Sequence, residues 1–311
     1  MEFGIQHGVG DPAWTPAVFT QQAVVGFARA SEAAGWDAIA FTDHPAPSDR
    51  WIGAGGEGVC DPFSALGFCA AVTERLRLMT LVLVPAFRNP FLMAQQLSTL
   101  DALSDGRVIA GVGTGYLSSE FHALGVDPKQ RLSVFDENIA VMREAWTGVA
   151  MTVDGSSFSA RGVKVLPPSV QQPHPPLWIH GNSPWGLKRA ARYGQGWLGM
   201  LTNGNETQVR TVRTTALHDL ETLRIRIDEL RTATLEAGRD PSEVDIAVAG
   251  ALPMLDVRNG WNVDEVLELH ARLDALGVGW VVLNCCGDDP AASQETAVRF
   301  GEEIIAGFRR P

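Results

Sequence analysis

The chain has 311 residues, 45% hydrophobic and 20% charged, which is the composition of a globular protein with a sizeable core rather than a disordered chain. Twenty-five Lys and Arg against 36 Asp and Glu leave a formal charge of −11, which argues against partners such as nucleic acid or an anionic membrane. No apolar run reaches the about 18 residues of a membrane span, and residues 1–10 lack a basic stretch before an apolar core, so a cytoplasmic protein without a signal peptide is expected.

Short apolar runs alternate with longer amphipathic segments down to the last residues, the pattern of βα units around a parallel sheet. Strands are predicted at 2–6, 37–42, 76–84, 107–113, 177–180, 196–201, 244–249 and 279–285. Eight is the number that closes an α/β, (β/α)8 TIM barrel, and such barrels reach this length as one domain. Helical patterns fall at 20–34, 91–103, 135–146, 186–193, 207–237, 263–276 and 290–308; the first ends at Gly35, and the second spaces Leu92, Gln96, Leu100 and Leu103 along one face. Residues 147–176 break the rhythm with Asp154-Gly155, Pro167-Pro168 and Pro173-His174-Pro175-Pro176. This segment is expected to be an insertion after the fourth βα unit, carrying a small hairpin over the barrel mouth, within a single domain of residues 1–311. Cys60, Cys69, Cys285 and Cys286 lack metal-site or redox-motif spacing and are expected to be reduced thiols. Cys285-Cys286 ends the last strand, where a nucleophile is conceivable, but a thiol without a base is more often core.

In a parallel barrel the residues just past each strand form the active face. Past the second strand stands Asp43-His44; a carboxylate beside an imidazole can position a polar group and move a proton near neutral pH, the alternative being a loop cap and a space-filling ring. Past the third, Pro85 and Pro90 bracket a turn carrying Arg88, which suits either an anionic ligand group or a salt bridge. Past the fourth, Gly111-Val112-Gly113-Thr114-Gly115-Tyr116 fails the dinucleotide fingerprint and lacks a P-loop Lys. Its glycines are expected to let backbone approach a flat ligand, with Thr114 offering a hydroxyl, unless they only make a tight turn. Past the fifth, Gly181-Asn182-Ser183-Pro184-Trp185-Gly186 feeds a helix bearing Lys188, Arg189 and Arg192. A helix N-terminus there suits phosphate, the plainer reading being an Asn or Ser cap. Trp14, Trp51, Phe87 and Trp185 are candidate pocket walls. The seven His are dispersed without HxH or HExxH, so no metal site is expected.

Taken in order, 33–39 with Asp43-His44, 73–78, Arg88-Asn89-Pro90, 99–107, Gly111 to Gly115, 173–179, Gly181-Asn182-Ser183 and 189–197 resemble the luciferase-like flavin and deazaflavin oxidoreductases, most closely the F420-dependent branch. The likeness covers about the first two thirds of the chain. It implies a bacterial luciferase-like barrel that is a homodimer, with coenzyme F420 in its mouth and a small-molecule substrate; FMN is the alternative cofactor, in a monooxygenase. It assigns cofactor contacts to Asp43, Val84, Thr114, Gly115, Ser119 and the Gly181 to Gly186 loop (Gly181, Asn182, Ser183, Trp185, Gly186). It also implies a non-prolyl cis peptide at Leu81-Val82 behind the ring, and proton transfer at His44. Where the family's sugar-phosphate dehydrogenase has a glutamate this chain has Tyr116, and where it has an asparagine this chain has Ser119. A phenol with a pKa of about 10 donates a hydrogen bond but is a poor base, which argues against sugar-phosphate oxidation. The expected function is therefore hydride transfer between F420 and a small organic molecule, with His44 and Tyr116 as catalytic residues. A non-catalytic flavin-binding protein is the rival from another class, and a metal-dependent hydrolase ranks last.

Overall fold

A computed structural model describes residues 1–8, 15–54, 56–202, 209–210 and 214–309. Its strands are β1 (Glu2–Gln6), β2 (Ala38–Phe41), β3 (Arg77–Thr80), β4 (Val108–Val112), β5 (Met151–Asp154), β6 (Ser159–Val163), β7 (Leu177–His180), β8 (Gly196–Met200), β9 (Asp245–Ala249) and β10 (Trp280–Asn284). All but β5 and β6 form one closed barrel in the order β1-β10-β9-β8-β7-β4-β3-β2, every neighbouring pair parallel, so the two ends of the chain seal the ring. The eight expected strands are all present. Strand residues covered on both faces carry apolar side chains almost without a break, as in β2 and β4, which are wholly buried. Inside the ring Met79, Ile109, Leu198, Trp178 and Trp280 fill the section, the two indoles meeting edge to face at 5.2 Å. A second, larger core lies between ring and helices.

The helices are α1 (Gln21–Ala33), α2 (Asp49–Gly53), α3 (Pro62–Ala70), α4 (Pro90–Leu103), α5 (Ser118–Ala123), α6 (Arg131–Ala145), α7 (Pro184–Tyr193), α8 (Leu220–Glu236), α9 (Val263–Ala275) and α10 (Pro290–Phe300), followed by a π turn at Gly301–Ile305. Their starts follow from local chemistry. Asp61, Asn89, Ser183 and Asp289 each accept a first-turn N–H, and each is followed by a proline whose missing N–H costs nothing there. The helix expected at 207–237 is interrupted: residues 209–210 are helical, 214–219 are not, and α8 starts at Leu220, where Asp219 and Thr222 form a reciprocal capping pair. Residues 203–208 and 211–213 lie outside the described part, as does Trp14.

The strand expected at 76–84 is cut short. Its pairing stops at Thr80, a non-proline cis peptide joins Leu81 to Val82 as the family likeness implied, and contact resumes only as a bridge between Leu83 and Val112. The hairpin of the insertion is real, β5 and β6 pairing antiparallel, but its place is not the mouth. Phe158 packs edge to face on Phe91 of α4, and Glu137 of α6 takes both Ser156 N–H and Ser156 Oγ at 2.6 Å. The returning segment is clasped by buried Asp101 of α4, which accepts from Ser169 Oγ and the N–H groups of Val170 and Gln171. Satisfying polar loop groups required that buried carboxylate, and this pins the insertion to the outer flank. All four cysteines are free.

Candidate active site

The glycines of the 111–115 run make close approaches within the chain. A Cβ at Gly111 would sit 2.1 Å from the Thr80 carbonyl oxygen, one at Gly113 2.8 Å from the Val82 side chain, and one at Gly115 2.9 Å from Val84. They let β4 close on the irregular end of β3. The same position of Gly113 faces His180 at 3.8 Å, which leads directly to Gly181. Asp43, Val84, Gly115, Gly113, Val82 and His180 thus form one continuous arc along the rim.

At one end of the arc, Asp43 is 3% exposed and both its oxygens are engaged, with Arg88 at 2.5 and 2.7 Å and the Val84 N–H at 3.2 Å. Arg88 also lies 3.9 Å from Asp61, so of the two roles open to its guanidinium it takes the salt bridge, as the brace that fixes Asp43 beside the mouth. Phe87 packs against Phe121 at 4.8 Å in a buried cluster, which corrects its expected place as a pocket wall.

His44 is the centre of the polar constellation. Its Nδ1 is 3.1 Å from Oε2 of Glu120, a carboxyl that is only 1% exposed and that also takes the Ala46 N–H on Oε1. Its Nε2 is 3.2 Å from the Tyr116 hydroxyl. With Nδ1–H donated to Glu120, the Nε2 lone pair points to Tyr116 and the mouth. Burial works against a charged imidazole, but the Glu120 hydrogen bond and the nearby carboxyls of Glu120, Glu57 and Asp43 outweigh it, and the pKa of His44 rises above its ordinary value. Burial, with the charges of Glu57 and Glu120, pushes Tyr116 well above the usual phenol range, so it stays a donor. Trp51 completes the group, its ring 6.1 Å from His44 and 5.8 Å from Tyr116.

Two of these side chains escaped sequence reasoning. Ser119, expected to touch the cofactor, is exposed on α5; the next residue, Glu120, is the one that turns inward to His44. The signal was an acid beside Phe121 in a short helix whose other face is polar. Glu57 sits in a glycine-rich loop that offers no periodicity.

At the other end of the arc, Gly181 has φ +142° and Gly186 lies so close that a Cβ would be 2.7 Å from the Gly181 oxygen, which seats the start of α7 on the end of β7. Ser183 Oγ accepts from Gly186 N–H at 3.1 Å, while the amide of Asn182 is consumed inside the fold, donating to Met200 O and Thr215 O at 2.8 Å and accepting from Met200 N–H at 2.9 Å. The Asn182 amide is therefore not a free donor to a ligand, whereas the Ser183 O–H, whose oxygen only accepts, stays available; in the first turn of α7 Pro184 has no N–H and those of Gly186 and Leu187 go to Ser183, which leaves the N–H of Trp185. Trp185 is exposed with Lys188 over its ring at 5.4 Å, whereas Arg189 is neutralised by Asp136 at 2.7 and 2.9 Å. The Thr114 hydroxyl has no bond to the described residues. No cluster of three or more potential metal ligands occurs among the described residues.

A rim that can move a proton at one end and hold an anionic group at the other defines a barrel enzyme. Its lineage follows from comparison: the model of the luciferase-like monooxygenases matches residues 1–256, and the chain belongs to that family. It is 30% identical over 326 aligned residues to an F420-dependent glucose-6-phosphate dehydrogenase of Beutenbergia cavernae, covering 94% of each chain. Among solved structures it resembles the monooxygenase RslO1 of Streptomyces bottropensis (TM-score 0.77, 21% identity, 99% and 100% of the two chains). It also resembles the F420-dependent tetrahydromethanopterin reductase of Methanopyrus kandleri (TM-score 0.72, 17% identity, 99% of each).

Proposed function

We propose that the protein is an F420-dependent oxidoreductase that moves a hydride between the deazaflavin and a small organic substrate, acting as a cytoplasmic homodimer through one domain that spans the chain. The family and the F420-dependent relative support the cofactor; the family likeness supports the homodimer, the sequence of residues 1–10 supports the cytoplasm, and no helix among the described residues is long and apolar enough to cross a membrane. The residues present fit a flat phosphorylated group. Thr114 offers an unengaged hydroxyl on the arc, the Ser183 O–H and the Trp185 N–H stand at the start of α7, and the positive dipole end of that helix, with Lys188, suits phosphate. Val82 and Val84 back this seat, with Asp43 holding the Val84 backbone.

Bound there, F420 supplies a ring carbon that accepts or gives up hydride. The chain supplies orientation and the proton. When an alcohol carbon is oxidised, its C–H bond leaves as hydride and its O–H proton goes to His44 Nε2; reduction of a carbonyl reverses both. Glu120 holds the tautomer that keeps Nε2 open and offsets the charge that the imidazole gains. Tyr116 donates to the oxygen that changes between hydroxyl and carbonyl. The observation that carries this reading is the Glu120–His44–Tyr116 line, because a buried imidazole so oriented is a proton shuttle. Titration of the purified protein with F420 and with FMN tests the cofactor: tighter binding of FMN, with oxygen consumption, would transfer the chain to the monooxygenase reading. His44→Ala should abolish turnover while leaving F420 affinity near that of the parent; equal activity would remove the proton-transfer role.

A further inference from the structure

Beside the His44–Tyr116 pair lie two buried polar atoms that none of the described residues satisfies, Oε2 of Glu57 and Nε1 of Trp51. Buried polar atoms almost always have partners, and leaving one unpaired costs about 1 to 3 kcal/mol. The Trp51 indole is held firmly. Gly56 rests so tightly on the Trp51 indole that a Cβ there would lie 2.3 Å from Nε1, and Gly56 N–H donates to Trp51 O at 2.9 Å. The indole is further fixed against His44 and Tyr116 by the ring contacts already given. Glu57, the next residue, acts electrostatically on both His44 and Tyr116.

We propose that Glu57 and Trp51 form a second subsite that clamps a further oxygen of the substrate, next to the oxygen that His44 and Tyr116 handle. This rests on the oxidoreductase reading and deepens it: the substrate is an uncharged molecule with two neighbouring oxygen functions, such as a hydroxyketone or a vicinal diol. An indole N–H only donates, and a protonated carboxyl both donates and accepts, so together they match a hydroxyl or a carbonyl oxygen. Burial raises the pKa of Glu57 and favours that protonated form.

The charges around the mouth argue for a neutral ligand. Arg88 is closed by Asp43 and flanked by Asp61, and Arg258, in the loop after β9, is closed by Asp256 and by Asp288 at 2.7 Å. An anionic group would enter among Asp43, Asp61 and Glu120 with neither cation available to it. The subsite therefore sets this chain apart from an enzyme built for a phosphorylated sugar.

The test uses the full chain loaded with F420 and labelled with 15N-tryptophan, the Trp51 indole signal being assigned from Trp51→Phe. Titration with hydroxyacetone, acetone and pyruvate should move the Trp51 signal with hydroxyacetone bound about tenfold tighter than acetone, as one added buried hydrogen bond of about 1.4 kcal/mol gives, and with pyruvate the weakest. Glu57→Leu should reduce hydroxyacetone to the acetone level. Glu57→Gln, which cannot ionise, should remove the alkaline fall in hydroxyacetone affinity that the parent shows. Tighter binding of pyruvate, a Leu variant that keeps the preference, or an alkaline fall that survives in the Gln variant would each overturn the subsite. Should F420 fail to bind while the hydroxyacetone preference persists in the free protein, only the cofactor reading falls.

Discussion

Glu120→Gln tests the proton relay with almost no change of shape. Oε1 of Glu120 faces the Ala46 N–H at 3.3 Å and Oε2 faces His44 Nδ1 at 3.1 Å. In the amide, the NH2 group cannot face Ala46, because two donors would then oppose each other. The carbonyl must take that place, and the NH2 turns to Nδ1, which becomes an acceptor. The imidazole proton is thereby driven to Nε2, the atom that has to receive the substrate proton. General base assistance is worth about 100- to 10,000-fold, so kcat/KM for alcohol oxidation should fall by that factor, about 3 to 5 kcal/mol of barrier, with F420 affinity unchanged. The nitrogen spectrum of His44 should show the exchange of tautomers directly, and its pKa should drop because a charge-stabilising partner is gone. A variant within about threefold of the parent in kcat/KM, or one whose His44 keeps its proton on Nδ1, would refute this.

Three other outcomes follow from the same geometry. Since His44 is a base only when neutral and its pKa is raised, kcat/KM for oxidation should fall as pH drops through a value above the ordinary imidazole range of about 6.5, and a limb below that range would contradict the Glu120 bond. By linkage, a raised His44 contributes stability that is complete below its unfolded pKa and is lost as pH rises through the folded one; thermal melts across that window check the sign. Arg88→Met leaves the buried Asp43 charge without its partner and should cost about 3 kcal/mol in urea unfolding, with a loss below about 1 kcal/mol counting against the brace. Gly186→Ala drives a methyl into the Gly181 carbonyl, so F420 affinity should weaken by about tenfold in a chain whose circular dichroism is unchanged, while unaltered affinity would deny α7 a role in holding phosphate.

The barrel was legible because parallel strands covered on both sides write themselves as continuous apolar runs, and because caps and prolines mark where helices start. Shorter elements left no such trace. In α3 the sequence is apolar nearly all round, and α5 is too short to show a period. Asp43 and His44 were findable from their position past a strand, and the arc from Val82 to Gly181 from the order of family motifs. Glu120 left only the weak sign of an acid beside Phe121, which looks the same whether the acid faces water or a buried imidazole, and Glu57, in a glycine-rich loop, left none. Asn182 misled in the opposite sense: its residue type and place suit an anion, but the β8 end and Thr215 claim its amide.

The interlock between β4 and the end of β3 divides the mouth into a frozen half and a negotiable one. Where Gly111 meets the Thr80 carbonyl no larger side chain can enter without moving the backbone, and at Gly113 the Val82 side chain would have to give way, so the proposed cofactor seat is inherited whole or lost. The facing segment, residues 48–60, carries Trp51 and Glu57 on α2 and loop rather than on a barrel strand, and rewriting it disturbs no barrel pairing. Descendants of this chain can thus trade one reactant for another by editing a single short stretch, with the redox apparatus left as it was.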